Sequence, residues 1–399
     1  MMGQIISVQT RNFSKVRTVK NTTVQALLRV NKMKRLLFWG IMSAVLNVGC
    51  AHDAATDVVH QDRLDSVFLA RTDVVRLELD DETSPLMQCT FYDGSGYYYF
   101  YNRITGYIER FHIDSTVKSP VRIKTPVAPW SMNVVSPDSV YILDLMNRHT
   151  ITLIDREGSE LAVYGIDADS DIMPGAQGQP YVTQDGLLYS SSTTGDFTLA
   201  AVDKSEGRVT EKMIPYPDIY RDFYGALLMR IPYTAYNSGD SLVVVGFPAD
   251  NNIHVLNLNT RQVRIYYAGS KYWDDGIKPL TRGLIGSMTV SNAREIEYFR
   301  EITSYGNILY DQWKNVYYRI VEKSTPMPGV NLSNKAKKLA VIIMDENFRI
   351  IGESDLEDEI YSVFRYSVFV SQAGLNIQLL TQEDELAFAV YSIKKNDNE

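Results

Sequence analysis

The stretch Ser139-Val140-Tyr141-Ile142-Leu143, followed by the pair Ile154-Asp155 and by Gly158, contains the pattern that decides the fold. An apolar strand is followed by a polar turn, and a second strand then ends in an aliphatic residue and an acid. The same phrase returns elsewhere along the chain, in copies that begin at Tyr97, Leu187, Ser241, Val316 and Val368. The last copy lacks the acidic marker. An internal repeat of short strands predicts an all-β protein.

The acidic or amide markers indicate the architecture. They are Asp114, Asp155, Asp203, Asn259 and Asp345, with spacings of 41, 48, 56 and 86 residues. Propeller blades of four strands recur at roughly 40–50 residues. The marker side chain can accept hydrogen bonds from the turn that follows it. We therefore predict a six-bladed β-propeller over 66–393 with a tail at 394–399, or a seven-bladed ring if 270–315 form an extra blade.

Two segments complete the predicted ring. The run Val74-Val75-Arg76-Leu77-Glu78-Leu79 supplies an outer strand for the last blade, which has only three strands of its own. Such pairing removes exposed edges. The long fourth spacing contains an insertion whose centre, 291–302, has apolar residues at Ile296, Phe299 and Ile302. It predicts one short amphipathic helix, either a lid over the channel or a brace.

The N-terminal part resembles an export signal. Lys34 and Arg35 precede 14 uncharged residues that end at Gly49-Cys50. This run is too short to span roughly 30 Å of hydrocarbon, but it suits a secretory signal. The junction resembles a bacterial lipoprotein site, although Asn47 replaces the usual aliphatic residue; an ordinary cleaved signal is the alternative. We predict that residues 1–49 are a leader and that Met33 is its true first residue. Residues 1–32 are then either a translated basic extension or a stretch that lies upstream of the real start codon.

Cysteine and charge counts define the segment that follows. Only Cys50 and Cys89 are present, so acylation of Cys50 leaves Cys89 as a buried thiol, and a disulfide between them is the rival. Residues 50–65 are predicted to be a lipidated polar tether.

Eight basic and no acidic residues precede Cys50, which leaves 32 basic and 48 acidic residues, a formal charge of −16. This balance argues against nucleic acid as a partner, so membrane contact would come from the lipid anchor.

Several further phrases carry a family resemblance. They are Arg230-Ile231-Pro232-Tyr233, Gly246-Phe247-Pro248-Ala249-Asp250-Asn251-Asn252-Ile253, Ala268-Gly269-Ser270-Lys271-Tyr272, Ile308-Leu309-Tyr310-Asp311, Tyr317-Tyr318-Arg319 and Asp345-Glu346-Asn347-Phe348. With the lipoprotein-like start, they resemble a family of uncharacterised Bacteroidetes-type lipoproteins known only as a domain of unknown function. The resemblance implies a six-bladed, TolB-like propeller in the outer membrane, facing the periplasm or the surface. It implies no catalytic residues.

Sequence motifs for catalysis are missing. The five histidines are scattered, and neither a zinc pattern, a nucleophile elbow nor a phosphate loop is present. The cluster Asp167-Ala168-Asp169-Ser170-Asp171 lacks the glycine and terminal glutamate of a calcium loop, and is read as a solvated turn. We therefore predict no catalytic residues, no metal and no cofactor.

Aromatic and basic residues around the insertion form the candidate binding set. They are Arg230, Tyr233, Lys271, Tyr272, Trp273 and Trp313. Rings beside charged donors suit sugars or peptides, while packing between sheets is the structural alternative. We predict a cell-envelope lipoprotein whose non-catalytic propeller binds glycans or envelope proteins. A propeller hydrolase or lyase acting on glycans or lactones is the alternative, because blades bring distant residues together.

Overall fold

The computed structural model describes most of the chain from residue 57 onward. The described residues are 57–83, 88–113, 120–147, 149–166, 181–182, 188–191, 197–220, 229, 231–273, 298, 301–324, 338–356, 367–379 and 385–396. They all belong to one compact unit, Thr56–Glu399. Cys50, Arg230 and the acidic cluster at 167–171 lie outside the described residues.

Strands dominate the described residues of this unit, and the one helical element with both ends among them is a 3-10 turn at Asp218–Tyr220. In chain order the strands are β1 (Val58–Val59), β2 (Val67–Glu78), β3 (Gln88–Tyr92), β4 (Tyr97–Asn102), β5 (Tyr107–His112), β6 (Val121–Lys124), β7 (Pro129–Ser136), β8 (Ser139–Asp144), β9 (Thr150–Ile154), β10 (Glu160–Gly165), β11 (Tyr181–Val182), β12 (Leu188–Ser191), β13 (Phe197–Val202), β14 (Val209–Pro215), β15 (Tyr233–Asn237), β16 (Leu242–Gly246), β17 (Asn252–Asn257), β18 (Val263–Tyr267), β19 (Ser304–Asp311), β20 (Val316–Glu322), β21 (Leu339–Met344), β22 (Ile350–Asp355), β23 (Val368–Ser371), β24 (Gly374–Gln378) and β25 (Glu385–Lys395). The fold is therefore all-β, as predicted.

The described strands form antiparallel sheets that follow the repeat. Five sheets have the four strands of a propeller blade: sheet I (β3–β6), sheet II (β7–β10), sheet III (β11–β14), sheet V (β19–β22) and sheet VI (β23, β24, β25 and β2). Sheet IV has five strands, because β15–β18 are joined by β1, which pairs in parallel with β18. The described residues therefore contain five four-stranded blades beside the five-stranded sheet IV, and the prediction of six or seven four-stranded blades is not confirmed.

Apolar side chains fill the space between neighbouring sheets. Sheets I and II share a core that includes Tyr99 and Ile142, and sheets VI and I share one that includes Phe388 and Tyr98. Similar clusters join II to III, III to IV, IV to V and V to VI. Each sheet therefore buries both faces against its neighbours, and the sheets succeed one another in a propeller-like ring.

The predicted pairing of the early strand with the last sheet is confirmed. β2 runs antiparallel to β25, from Val67 opposite Lys395 to Glu78 opposite Glu385. β25 also takes in the first two residues of the predicted tail. The inward residue Leu77 is buried with Phe388 in the core between sheets VI and I. Both apolar packing and a continuous ladder therefore hold the ends of the ring together.

The segment just before β2 is bound along the outer edges of two sheets. We call residues 57–66 the N-terminal strap. β1 extends sheet IV, Gln61 Nε2 donates to Asn347 O at 3.0 Å, and Leu64 N donates to Ile350 O at 3.0 Å. Arg63 forms an ion pair with Glu353 at 2.8 Å. Residues 57–65, predicted as part of a tether, therefore make specific contacts with sheets IV and V.

The predicted seventh blade and the helical insertion both fall near residues 270–315. Residues 304–311 form β19 of sheet V, so the proposal of an extra blade is wrong for them. Within the predicted helix, Tyr298 and Glu301 are helical. The other residues between 291 and 300 lie outside the described residues.

Three of the five marker residues cap turns as predicted. Asp155 Oδ1 accepts from Glu157 N at 3.0 Å and from Ser159 N at 2.8 Å, and Asp203 and Asp345 accept from their turns in the same way. In sheet IV the capping residue is Asn257, whose Oδ1 accepts from Asn259 N at 2.9 Å. The choice of Asn259 as this marker was therefore wrong by two residues. Asp114 lies outside the described residues.

Candidate functional site

A cavity of about 580 Å³ lies where the first strands of the sheets meet. Residues of β3, β7, β15, β19 and β23 line it, and we call it the central channel. The turns that follow β3, β15 and β19 contribute Gly94, Gly239 and Trp313 to its lining. A Cβ added at Gly94 would lie 3.3 Å from Gln312 Nε2, so the first and third of these turns approach each other. Together they bound one mouth of the channel.

The described lining of the channel carries a single ionisable acid and no basic side chain. This acid, Asp93, is engaged in its own turn. Its Oδ1 accepts from Ser95 N at 2.8 Å and from Tyr97 N at 3.1 Å, and Tyr99 OH donates to Oδ2 at 3.4 Å. The carboxylate therefore holds the β3–β4 turn in shape.

The tyrosines of the channel remain protonated at neutral pH. Burial raises the pKa of Tyr98 and of Tyr233 well above the usual value. Both phenols therefore stay uncharged. With Asp93 engaged in its turn, the described surface of the channel is polar but nearly neutral.

Amide side chains supply most of this polarity. Asn133 projects from β7, and Asn307 and Gln312 belong to β19 and to the turn after it; all three line the channel. None of the three side chains is hydrogen-bonded to another described residue. β19 shifts register between Tyr305 and Ile308, which leaves Asn307 outside the ladder. Such bulges re-aim side chains beside functional sites.

The predicted binding set divides between two places. Tyr233 and Trp313 line the central channel. Lys271, Tyr272 and Trp273 follow β18, the fourth strand of sheet IV, and contact sheet V instead. Arg230 lies outside the described residues.

A buried carboxylate, Glu353, and an exposed one, Asp355, organise the region around Lys271. Glu353, whose side chain is fully buried, accepts from Lys271 N at 3.1 Å and also contacts Ser270 Oγ. Asp355 accepts hydrogen bonds from Tyr272 OH and from Lys323 Nζ. Although burial opposes it, these bonds hold the pKa of Asp355 below its usual value. Both carboxylates of this cluster are therefore paired with cations of the protein, Glu353 with Arg63 and Asp355 with Lys323.

Trp273 and Arg319 sandwich the ring of Tyr305. The indole stacks on it at 4.8 Å between centroids, and the guanidinium carbon lies 3.6 Å from its centroid. Arg319 is fully buried, and it donates to the carbonyls of Phe247, Asp250, Asn251, Asn252 and Ala268. Burial lowers the pKa of this guanidinium.

This arrangement explains part of the resemblance noted above. The phrases 246–253, 268–272 and 317–319 meet at Arg319, which fixes the turn between β16 and β17. Sequence reasoning did not single out Arg319, although a lone arginine inside the apolar strand β20 was a visible signal. The phrases therefore describe a structural lock rather than a reactive site.

His254 lies next to the same lock. Burial first, and then the charge of Arg319, lower the pKa of His254 to about 4. Its ring makes an edge contact with Phe247 at 5.3 Å between centroids. The imidazole is therefore neutral at physiological pH and packs as a structural side chain.

The described residues contain neither a metal-binding cluster nor a membrane-spanning helix. Within them, no three His, Cys, Asp or Glu side chains come together in a metal-binding group. No described helix has the length and apolar character needed to cross a bilayer.

Solved structures share this fold. A member of the DUF4221 family from Bacteroides vulgatus is 21% identical, with a TM-score of 0.65 over 84% of this chain and 100% of that one. A "Putative exported protein" from Bacteroides fragilis is 10% identical, with a TM-score of 0.53 over 86% of this chain and 100% of that one. No curated protein matches the chain. The family model described as "Domain of unknown function (DUF4221)" matches residues 120–355, more than half of the sequence, and the chain therefore belongs to this family.

Proposed function

We propose that this protein is an exported lipoprotein whose propeller binds a ligand in the central channel without catalysing a reaction. The observation that carries the proposal is the lining of that channel. General acid–base catalysis requires titratable groups within hydrogen-bond reach of a substrate. The one carboxylate in the described lining is that of Asp93, whose Oδ1 already accepts from Ser95 N and Tyr97 N and whose Oδ2 accepts from Tyr99 OH. Aromatic rings and uncommitted amides suit recognition instead.

The cellular setting follows from the N-terminal sequence. A basic pair, 14 uncharged residues and the Gly49-Cys50 junction support export and acylation of Cys50. We place the protein in the outer membrane, held by the lipid, with glycans or envelope proteins as partners. The architecture we propose is a closed, TolB-like ring; sheets I–VI and the apolar cores between them support it.

Acylation is tested by labelling the full chain with a radioactive or alkyne-tagged fatty acid in a bacterial host. We expect label in the membrane fraction, a mature N-terminus at Cys50, and loss of both in Cys50→Ser. Cys89→Ser is the matched control, and should keep the label. A mature N-terminus elsewhere, or label that persists in Cys50→Ser, would contradict the anchor.

The binding function is tested with the same purified lipoprotein in detergent. Oligosaccharides and peptides are titrated by calorimetry, and each mixture is then analysed by mass spectrometry. We expect heat of binding and unchanged ligand masses. Cleavage or rearrangement of a bound compound would refute a non-catalytic channel and favour a hydrolase or lyase.

A further inference from the structure

Three features of the central channel specify its ligand more narrowly. The first is charge. The described lining contains no Lys, Arg or His, and its one carboxylate is engaged in a turn. Phosphates and carboxylates are usually bound by Arg or Lys through charge-assisted hydrogen bonds. The part of the chain after residue 49 also carries a formal charge of −16, which repels anions. An anionic ligand is therefore disfavoured.

The second feature is the amide set of Asn133, Asn307 and Gln312. Each amide offers both a donor and an acceptor. Sugar hydroxyls also donate and accept, so amides and hydroxyls pair in either direction. The three amides come from sheets II and V, on different sides of the channel. A ligand that bridges them needs several hydroxyl or amide groups distributed over its length.

The third feature is Trp313, which stands at the mouth of the channel. Its side chain is 37% exposed. Trp313 N and Lys314 N each donate to Asp311 Oδ1 at 3.0 Å, and Tyr318 OH donates to Asp311 Oδ2 at 3.1 Å. Asp311 is fully buried. The turn therefore holds the backbone of Trp313 in place before a ligand arrives, which reduces the entropy lost on binding.

The neighbouring Tyr310 extends this aromatic surface. Tyr310 OH donates to Asn315 Oδ1 at 2.9 Å, which orients the ring from the same turn. Rings of this kind stack on the apolar faces of sugars. A cavity of about 580 Å³ lies within the range of about 300–1,000 Å³ that small-ligand sites occupy.

From charge, amides and aromatic surface together, we infer that the central channel binds an uncharged saccharide, with Trp313 stacking on a sugar ring and Asn133, Asn307 and Gln312 bonding its hydroxyls. This inference rests on the proposed function and narrows it to one ligand class. It also specifies the mouth of entry, which is the one formed by the turns after β3, β15 and β19.

The test uses the full-length lipoprotein in detergent and an array of oligosaccharides. The neutral probes are oligomers of glucose, mannose and N-acetylglucosamine, the acidic probe is oligogalacturonate, and short peptides form a third group. We expect binding within the neutral group only. Trp313→Ala should weaken it about tenfold, a loss of about 1.4 kcal/mol, whereas Trp313→Phe should keep most of the affinity.

Two further variants probe the amides and the location. Asn307→Asp keeps the shape but replaces the donor by a charge, so it should weaken binding of the neutral sugar severalfold. Met146→Ala is the matched control, because Met146 is 86% exposed and does not line the channel. Thermal unfolding of every variant establishes that the fold is retained.

The possible outcomes distinguish a wrong ligand class from a wrong binding function. Binding of only acidic sugars or only peptides would overturn the ligand class and leave the binding function standing. Neutral-sugar binding that is indifferent to Trp313→Ala and Asn307→Asp would overturn the assigned site. No binding in any group would overturn the ligand class, and a chemically altered sugar would overturn the non-catalytic function itself.

Discussion

Replacing Arg319 by lysine tests whether the buried guanidinium is the lock of sheets IV and V. The guanidinium donates to five backbone carbonyls, four of them between 247 and 252. A lysine ammonium has three N–H donors, whereas the two terminal nitrogens of the guanidinium have four, so at least one of these hydrogen bonds is lost in Arg319→Lys. A buried polar group without a partner costs about 1–3 kcal/mol. We therefore expect the free energy of unfolding to fall by about 1–3 kcal/mol.

The assay is urea unfolding of the full chain in detergent, followed by tryptophan fluorescence. Four tryptophans contribute to the emission, and one of them, Trp273, stacks on Tyr305 beside the substituted residue. Arg349→Lys is the matched control. Arg349 bonds Asp345 at 3.0 Å but its side chain is 43% exposed, so its replacement should cost less than about 1 kcal/mol.

The two variants must differ for the reasoning to stand. An Arg319→Lys protein within about 1 kcal/mol of the wild type would show that the carbonyls find other donors. The lock would then be a consequence of the fold rather than one of its supports.

Three further predictions concern pH, ring closure and the N-terminal strap. The pKa of His254 is lowered to about 4, so unfolding binds a proton below pH 6.5; stability should fall by about 3 kcal/mol between pH 6.5 and 4, and His254→Gln should flatten this slope in denaturant titrations. A variant with an unchanged slope would refute this. Leu77→Ala should cost about 2–5 kcal/mol in urea unfolding, because Leu77 is buried against sheet I, whereas Phe68→Ala on the same strand, 39% exposed, should cost clearly less. Equal losses would contradict a closure held by the core. Glu353→Gln removes the charge that faces Arg63, so limited proteolysis should cut the strap faster than in the wild type, and an unchanged cleavage rate would exclude this role.

The ring and its closure were predictable because each strand can be recognised from a short stretch of sequence. The repeated strand and turn phrase fixes the strand order, and the alternating run at 74–79 fills the place that a three-stranded last blade leaves empty. The strap was not predictable in the same way. β1 has two residues, and residues 60–65 are polar without periodicity, so their binding depends on carbonyls and carboxylates more than 200 positions away.

The candidate site was predicted in part. Tyr233 and Trp313 line the channel, because one begins and the other follows a first strand of its sheet. Lys271 and Trp273 belong to the same type of aromatic and basic sequence, but they follow β18, the fourth strand of sheet IV. The sequence motif alone does not show which strand of a sheet a residue follows. The amides were missed because asparagine and glutamine are common in turns, and only the geometry shows that Asn133 and Asn307 face the same cavity.

The partners of residues 58–78 also set an order of events during biosynthesis. β1 needs β18, and β2 needs β25, whose residues follow it by more than 300 positions. Until the C-terminal strand β25 is available, β2 has nothing to pair with, and its contacts are among the most non-local that a chain of this length can make. Assembly should therefore be slow. Until the final strand emerges, an apolar, unpaired strand is exposed to neighbouring chains, which makes the unfinished protein the form most in need of a chaperone.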